Sequence, residues 1–503
     1  MKQSTKRILI IVICILLQAF FTLSVLLYFS EQSLFIQIMN QIISVLIILT
    51  IIKRSRNLNT KMPWILLILI FPILGGLLYI IIGHNLYKSK ILKEISKSIK
   101  NSKNYLKQKE KVLNEIKEQN LNIYGQVNYI SGYAGYPIYK NEQTKYFSSG
   151  EEAYVVMLEE LKKAKKFIFL EYFIIANGQM WQGILDILEE KVKQGLEIRV
   201  IYDDIGCVGT LDKNYDKYLE KKGIKCICFN RLQPILQVVM NNRDHRKIMV
   251  IDGNTAFSGG INLADEYINK KEKYGYWKDN AIMVKGEAVD NFTMMFLEIW
   301  NAYRKENINY NNFKSNETKS ITNGYICPYA ENPLDNENVG ENIYLNIINQ
   351  AQKYVYIFTP YLIIDNAMIA SLTLASKRGV DVRIVTPGIP DKKIVYALTK
   401  SYYEMLIDSG VKIYEYTPGF MHGKVFICDD EIATVGSLNL DYRSLYLHFE
   451  CGVYMYKTDT IYSIKEDVMK TINQSYNVKK EDCKCGFFKA LFQSILRLFA
   501  PLM

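Results

Sequence analysis

Three uncharged, largely apolar runs dominate the start of the chain: Ile8 to Phe29, Phe35 to Ile52 and Pro63 to Ile82. Each approaches the ~20 residues that cross a hydrocarbon core, so residues 1–87 predict a transmembrane region. A signal peptide is the rival for the first run. It is disfavoured because the run is long, lacks a small-x-small cleavage site and is followed by further apolar runs. Basic residues punctuate the region: Lys2, Lys6 and Arg7 precede it, Lys53, Arg54, Arg56 and Lys61 separate the second and third runs, and Lys88, Lys90 and Lys93 follow. Two topologies stay open. Three full spans with the N-terminus inside put the large domain outside, whereas a re-entrant third run, which Pro72 and Gly75-Gly76 permit, keeps it inside.

Residues 88–127 are rich in Lys, Glu and Asn and predict a solvated helical linker. The pattern then repeats. Ala164-Lys-Lys-Phe-Ile-Phe-Leu matches Ala351-Gln-Lys-Tyr-Val-Tyr-Ile, and Lys193-Gln-Gly-Leu-Glu-Ile-Arg-Val matches Lys377-Arg-Gly-Val-Asp-Val-Arg-Ile. Each half offers helix, strand, helix, Gly turn and strand, the alternation of an α/β sandwich. The expected domains are 128–310 and 320–482, joined through the Asn-, Ser- and Thr-rich stretch Asn307 to Asn323. The tail, residues 484–503, sets Phe488, Leu491, Phe492, Ile495, Leu496 and Phe499 at helical spacing, for a membrane interface or for packing on the domain.

Composition narrows the partners only slightly. Of 503 residues, 62 are basic and 51 acidic, a net charge of +11 that favours anionic partners, lipid headgroups or nucleic acid alike. The nine cysteines include Cys226-x-Cys228 and Cys483-x-Cys485, neither with the spacing of a zinc site, and they are expected as buried, unpaired thiols.

The chemistry lies in a repeated motif. His245-Arg-Lys247-Ile-Met-Val-Ile-Asp252 is followed by Gly259-Gly-Ile-Asn262, and His422-Gly-Lys424-Val-Phe-Ile-Cys-Asp429 by Gly436-Ser437-Leu-Asn439. One such motif would be coincidence, but two at matching positions of a repeat, in a chain with four histidines, are not. Strand alternation turns His and Lys to one face. Imidazole serves as nucleophile or proton shuttle, and two lysines supply fixed charge for a phosphate. His245, Lys247, Asp252, His422, Lys424 and Asp429 are thus the catalytic candidates, although the two aspartates are better suited to anchoring backbone. Asn262, Ser437 and Asn439 are substrate-binding candidates, joined by Asp279 and Glu450 as acidic partners that hold an imidazole's tautomer. His84 is expected at the membrane interface and His448 beside the site rather than in it. No carboxylate–histidine cluster has metal-ligand spacing, so neither metal nor cofactor is expected.

On these motifs the chain resembles the phospholipase D superfamily. Tyr202-Asp-Asp-Ile-Gly, Asn241-Asn-Arg-Asp-His-Arg-Lys and Tyr276-Trp-Lys-Asp, with Thr359-Pro-Tyr, Tyr414-Glu-Tyr-Thr-Pro-Gly-Phe and Asn439-Leu-Asp-Tyr-Arg-Ser, are similar to bacterial cardiolipin synthases. The resemblance implies two pseudo-symmetric α/β sandwich domains around one site and phosphatidyl transfer between two phosphatidylglycerol molecules through a phosphohistidine, while the apolar runs predict a multi-pass bacterial membrane location. A phospholipase D or a transferase with another acceptor alcohol is the alternative. The partners implied are phosphatidylglycerol and an anionic bilayer; nucleic acid is not expected, since a nuclease needs no apolar spans, and oligomeric state stays open. Family analogy makes His245 the nucleophile and His422 the proton donor, with Arg246 either tuning the first imidazole or pointing away.

Overall fold

The computed structural model describes residues 20, 23, 24, 33–54, 61–79, 90–232, 241–306, 308–315, 323–335 and 337–502. The chain divides into two compact units, one of residues 1–89, 232–242 and 491–503, the other of 90–231 and 243–490.

In the first unit, helix α1 (Ser33–Arg54) carries the one segment among the described residues, Leu34–Lys53, long and apolar enough to cross a membrane. The run 8–29 lies outside the described residues apart from Phe20, Leu23 and Ser24. The third apolar run is not one helix. It breaks into α2 (Met62–Ile70) and α3 (Pro72–Leu78) at Phe71, which leaves helical geometry at ψ 79°. The cause is Pro72, whose ring excludes the helical conformation from the residue before it. Beyond the break the backbones return close together: a Cβ on Gly75 would lie 2.6 Å from the Leu67 carbonyl oxygen. Ile51, Ile68 and Tyr79 form a small core there, with Trp64 edge-on to Tyr79.

The second unit is built from a repeated sheet. Its first half contributes β1 (Tyr139–Lys140), β2 (Gln143–Phe147), β3 (Phe167–Tyr172), β4 (Glu197–Asp203), β5 (Lys225–Phe229), β6 (Lys247–Ile251), β7 (Thr255–Gly259), β8 (Tyr276–Lys278) and β9 (Ala281–Lys285). Its second half contributes β10 (Tyr325–Glu331), β11 (Tyr354–Phe358), β12 (Asp381–Pro387), β13 (Lys412–Tyr416), β14 (Gly419–Met421), β15 (Val425–Cys428), β16 (Ile432–Gly436), β17 (Glu450–Tyr456) and β18 (Ser475–Asn477). One sheet runs β2-β9-β7-β6-β3-β4-β5, the other β1-β10-β17-β16-β15-β11-β12-β13-β18. The order β7-β6-β3-β4-β5 thus recurs as β16-β15-β11-β12-β13. In each, three parallel strands adjoin an antiparallel one that carries the motif. Every residue of β3 and β11 is buried, as expected for parallel strands covered on both faces.

Two expected boundaries change. The stretch expected as a solvated linker contains α4 (Lys90–Ser102), whose Leu92, Ile95 and Ile99 are buried. It lies against the helix Val289–Arg304, and Ser102 Oγ donates to Glu298 Oε1 at 2.5 Å. Strand β1, from the stretch assigned to the first domain, pairs instead with β10 of the second sheet, Tyr139 opposite Ile326. The join between halves falls partly outside the described residues, at 307 and 316–322. The tail forms a helix, Phe487–Phe499, with Phe487, Phe488, Leu491, Phe492 and Ile495 exposed and Leu496 buried.

Candidate active site

Register fixes where the motifs sit. Lys247 opens β6 opposite Tyr172, the last residue of β3, and Val425 opens β15 opposite Phe358, the last residue of β11. His245 and His422 therefore lie at the carboxyl edge of the parallel strands. Each is then stitched to the opposite half. The His245 amide donates to the Phe449 carbonyl at 2.9 Å, and the His422 amide to Lys278 at 2.7 Å, where β14 pairs with β8.

The side chains cross over as well. His245 Nδ1 meets Glu450 Oε1 at 2.8 Å and Oε2 at 2.9 Å, while His422 Nδ1 meets Asp279 Oδ2 at 2.6 Å. The acidic partner of each histidine thus belongs to the other half. A carboxylate at Nδ1 accepts the proton there and leaves Nε2 of a neutral imidazole with its lone pair. Ser437 Oγ donates to Glu450 Oε2 at 2.5 Å, and Trp277 Nε1 to Asp279 Oδ2 at 3.4 Å. Both carboxylates are buried completely.

Lys247 and Lys424 are almost fully buried. Lys247 Nζ donates to the His245 carbonyl at 2.5 Å; Lys424 Nζ donates to the His422 carbonyl and lies 2.9 Å from His422 Nδ1. Burial lowers Lys247 to about 8 and Lys424 to about 7, against the pull of Glu450 and Asp279. Burial, then the lysine charges, holds His245 well below the ordinary imidazole value, and His422 falls to about 4 for the same leading reasons. Both imidazoles are therefore neutral near pH 7.

The other expected residues separate by role. Asp252 and Asp429 stand at the far ends of the motif strands, away from the imidazoles. Asp252 accepts from the amides of Lys165, Lys166 and Phe167, and Asp429 from those of Gln352, Lys353 and Tyr354. They staple backbone in both halves and make no contact with the imidazoles among the hydrogen bonds of the described residues. Asn262 is likewise engaged internally, accepting from the Ile174 amide and donating to Tyr267, whose ring lies 5.5 Å from His422. Asn439 Oδ1 is buried without a hydrogen-bond partner. Asp279 and Glu450 hold the histidines rather than facing substrate. Arg246 points away from the site into the core, within 3.5 Å of Glu171 on β3.

Aromatic walls were not foreseen. Phe173 stands edge-on to His245 at 4.8 Å, and Trp277 and Phe420 flank His422 at 5.2 and 5.7 Å. Trp277 and Phe420 stand within the quoted strings Tyr276-Trp-Lys-Asp and Tyr414-Glu-Tyr-Thr-Pro-Gly-Phe. Folding also makes the carboxylate–histidine cluster that sequence spacing did not show: His245, His448 and Glu450 each bring a ligand atom within 4.8 Å of the others.

Comparison with known proteins is consistent along the chain. The family described as "Cardiolipin synthase, PLD-like domain" matches residues 157–300 and 344–472, and "Phospholipase_D-nuclease N-terminal" matches 42–84. A cardiolipin synthase of Alkalihalophilus pseudofirmus is 34% identical over 457 residues, 90% of each chain. Cardiolipin synthase 2 of Bacillus anthracis is 32% identical over 469 residues, 90% of this chain and 88% of that protein. An uncharacterized Streptococcus mutans protein is 47% identical over 91% of this chain and 99% of its own. Among solved structures, phosphatidylserine synthase of Haemophilus influenzae shares the fold at 17% identity and a TM-score of 0.56, over 75% of this chain and 98% of its own.

Proposed function

Since the chain belongs to the cardiolipin synthase family of phospholipase D-like enzymes and is a phosphatidyltransferase, we propose that it converts two phosphatidylglycerol molecules into cardiolipin and glycerol. His245 Nε2 attacks the phosphorus of the first lipid, and the bond to the glycerol oxygen breaks. His422, protonated at Nε2, gives its proton to that leaving oxygen. Neutral His422 then takes the proton of the second lipid's terminal hydroxyl. The resulting oxygen attacks the phosphatidyl-histidine, the phosphorus–nitrogen bond breaks, and both imidazoles are restored.

The observation that carries this reading is the crossed pairing of each imidazole with a carboxylate of the other half. It supports a site in which two Nε2 atoms serve one phosphorus. Lys247 and Lys424 supply charge to the phosphate oxygens in low dielectric, where such charge counts most. The incoming phosphodiester brings the negative charge that lets His422 take up its proton. Lipid substrates suit a membrane enzyme, with α1 as one crossing and the run 8–29 as a second, a multi-pass arrangement.

Purified full-length protein in mixed micelles, with phosphatidylglycerol as the sole phospholipid, tests the proposal by mass spectrometry. Cardiolipin and free glycerol should appear together, and both should vanish in His245→Ala and in His422→Ala. Phosphatidic acid without cardiolipin would make the protein a hydrolase and overturn the assignment.

A further inference from the structure

His448 is a buried histidine to which the transfer reaction gives no task. It sits between the helix Tyr442–Tyr446 and β17, with its amide tied to the Arg443 carbonyl at 2.9 Å. Only 8% of the residue is exposed, and both ring nitrogens are buried without a hydrogen-bond partner. Its ring centroid lies 5.6 Å from that of His245, and its Nδ1 lies 3.7 Å from Glu450 Oε1. A buried imidazole with two unmatched nitrogens costs stability, and here it faces a carboxylate and a second imidazole.

We propose that His245, His448 and Glu450 form a capture site for a borderline-soft divalent cation, of which Zn2+ fits best, and that its occupation switches the enzyme off. Ligand type and spacing both point this way. Two imidazoles and one carboxylate are a zinc ligand set that leaves a fourth position open. With bonds of about 2.0–2.2 Å, tetrahedral neighbours lie about 3.4 Å apart, close to the 3.7 Å between His448 Nδ1 and Glu450 Oε1. The His245 Nδ1–Glu450 distance of 2.8 Å has to open by roughly half an ångström to admit the ion. Hard cations such as Mg2+, which prefer oxygen ligands, do not suit the site.

The switch follows from the tautomer. In the metal-free site His245 carries its proton on Nδ1, facing Glu450, and its lone pair on Nε2. A cation bound through Nδ1 takes the place of the proton there, and that proton moves onto the lone pair of Nε2. No proton leaves the imidazole, but the nitrogen that attacks phosphorus no longer has a lone pair to attack with. This consequence rests on His245 acting as proposed above; the binding itself does not.

Two measurements on the full-length protein in detergent separate these claims. Equilibrium dialysis should retain one Zn2+ per chain, and Co2+ in its place should give the visible absorption of a tetrahedral N/O site. In micelles of phosphatidylglycerol, Zn2+ should abolish cardiolipin formation over the same range in which it binds, a chelator should restore it, and Mg2+ should have no such effect. His448→Asn and His448→Gln, each compared with its own metal-free activity, should need more than about tenfold higher Zn2+ for half-inhibition, because even the outer partners of a metal ligand are worth about ten- to a hundredfold. Equal sensitivity in wild type and both variants would overturn the site, as would wild-type protein that makes cardiolipin but retains no Zn2+. Protein that binds Zn2+ through His448 yet makes no cardiolipin would keep the site and remove only the transfer reaction.

Discussion

At the scale of single residues, the acidic partners of the two histidines differ by one methylene, and a glycine records it. Ser437 caps Glu450 in the second half, whereas the repeat has Gly260 in the matching place. Asp279 is the shorter acid, so its carboxylate stays near its own backbone. A Cβ on Gly260 would lie 2.0 Å from Asp279 Oδ1. Gly260→Ala should therefore push the carboxylate off His422 Nδ1 without touching the imidazole. We expect kcat to fall by about 10²–10⁴-fold, the range that acid–base assistance supplies, with circular dichroism unchanged; a kcat within twofold of wild type would show that Asp279 is dispensable. The lysines set a second expectation, for pH. Their values of about 7 and about 8, lowered by burial, mean that charge is lost as pH rises through that window. The profile of kcat/KM, which reports the free enzyme, should fall on its alkaline side between about 7 and 8. The kcat profile should fall later, because bound phosphodiester stabilises the ammonium groups. Lys424→Arg should flatten that limb, since guanidinium stays charged throughout.

At the scale of elements, what repeats in sequence was legible and what crosses between halves was not. The motif strands, the Gly turns and the α/β alternation stand in the chain twice, and each copy vouches for the other. Asp279 and Glu450 were visible as acids one strand past each motif. Their exchange between halves was hidden, because a repeat shows only what each half contains. For Arg246 alternation along the strand is the deciding rule, and it sends the side chain away from the His and Lys face, to Glu171. In α4 the signal was present but masked. Leu92, Ile95 and Ile99 keep helical spacing amid so many lysines that the stretch passes for a wet face. Strand β1 had no signal to offer, since two residues carry no periodicity. The cluster joins His245 to His448 and Glu450, the latter 205 positions away, a separation beyond any spacing rule.

At the scale of the whole molecule, the broken third run favours one of the two topologies that hydropathy left open, and the choice is testable. Helix α1, with 22 residues, reaches about 33 Å at 1.5 Å per residue and matches a hydrocarbon core of about 30 Å. Helices α2 and α3, with 9 and 7 residues, reach only about 14 and 11 Å, and Gly75 brings the second back against the first. Neither helix alone is long enough to cross, so a re-entrant run is the expectation. With the run 8–29 as one crossing and α1 as the other, Lys2, Lys6 and Arg7 share a side with Lys53, Arg54, Arg56 and Lys61. That is the arrangement the positive-inside rule favours. On that reading the chain from residue 90 onward is expected on the cytoplasmic side. Cys483 and Cys485 offer a test, because they are partly exposed while the other described cysteines are buried. A membrane-impermeant maleimide should label them in inverted vesicles or permeabilised cells and leave them untouched in intact ones. Labelling in intact cells would require an odd number of crossings, and residues 63–82 would then have to span the bilayer despite the break at Phe71.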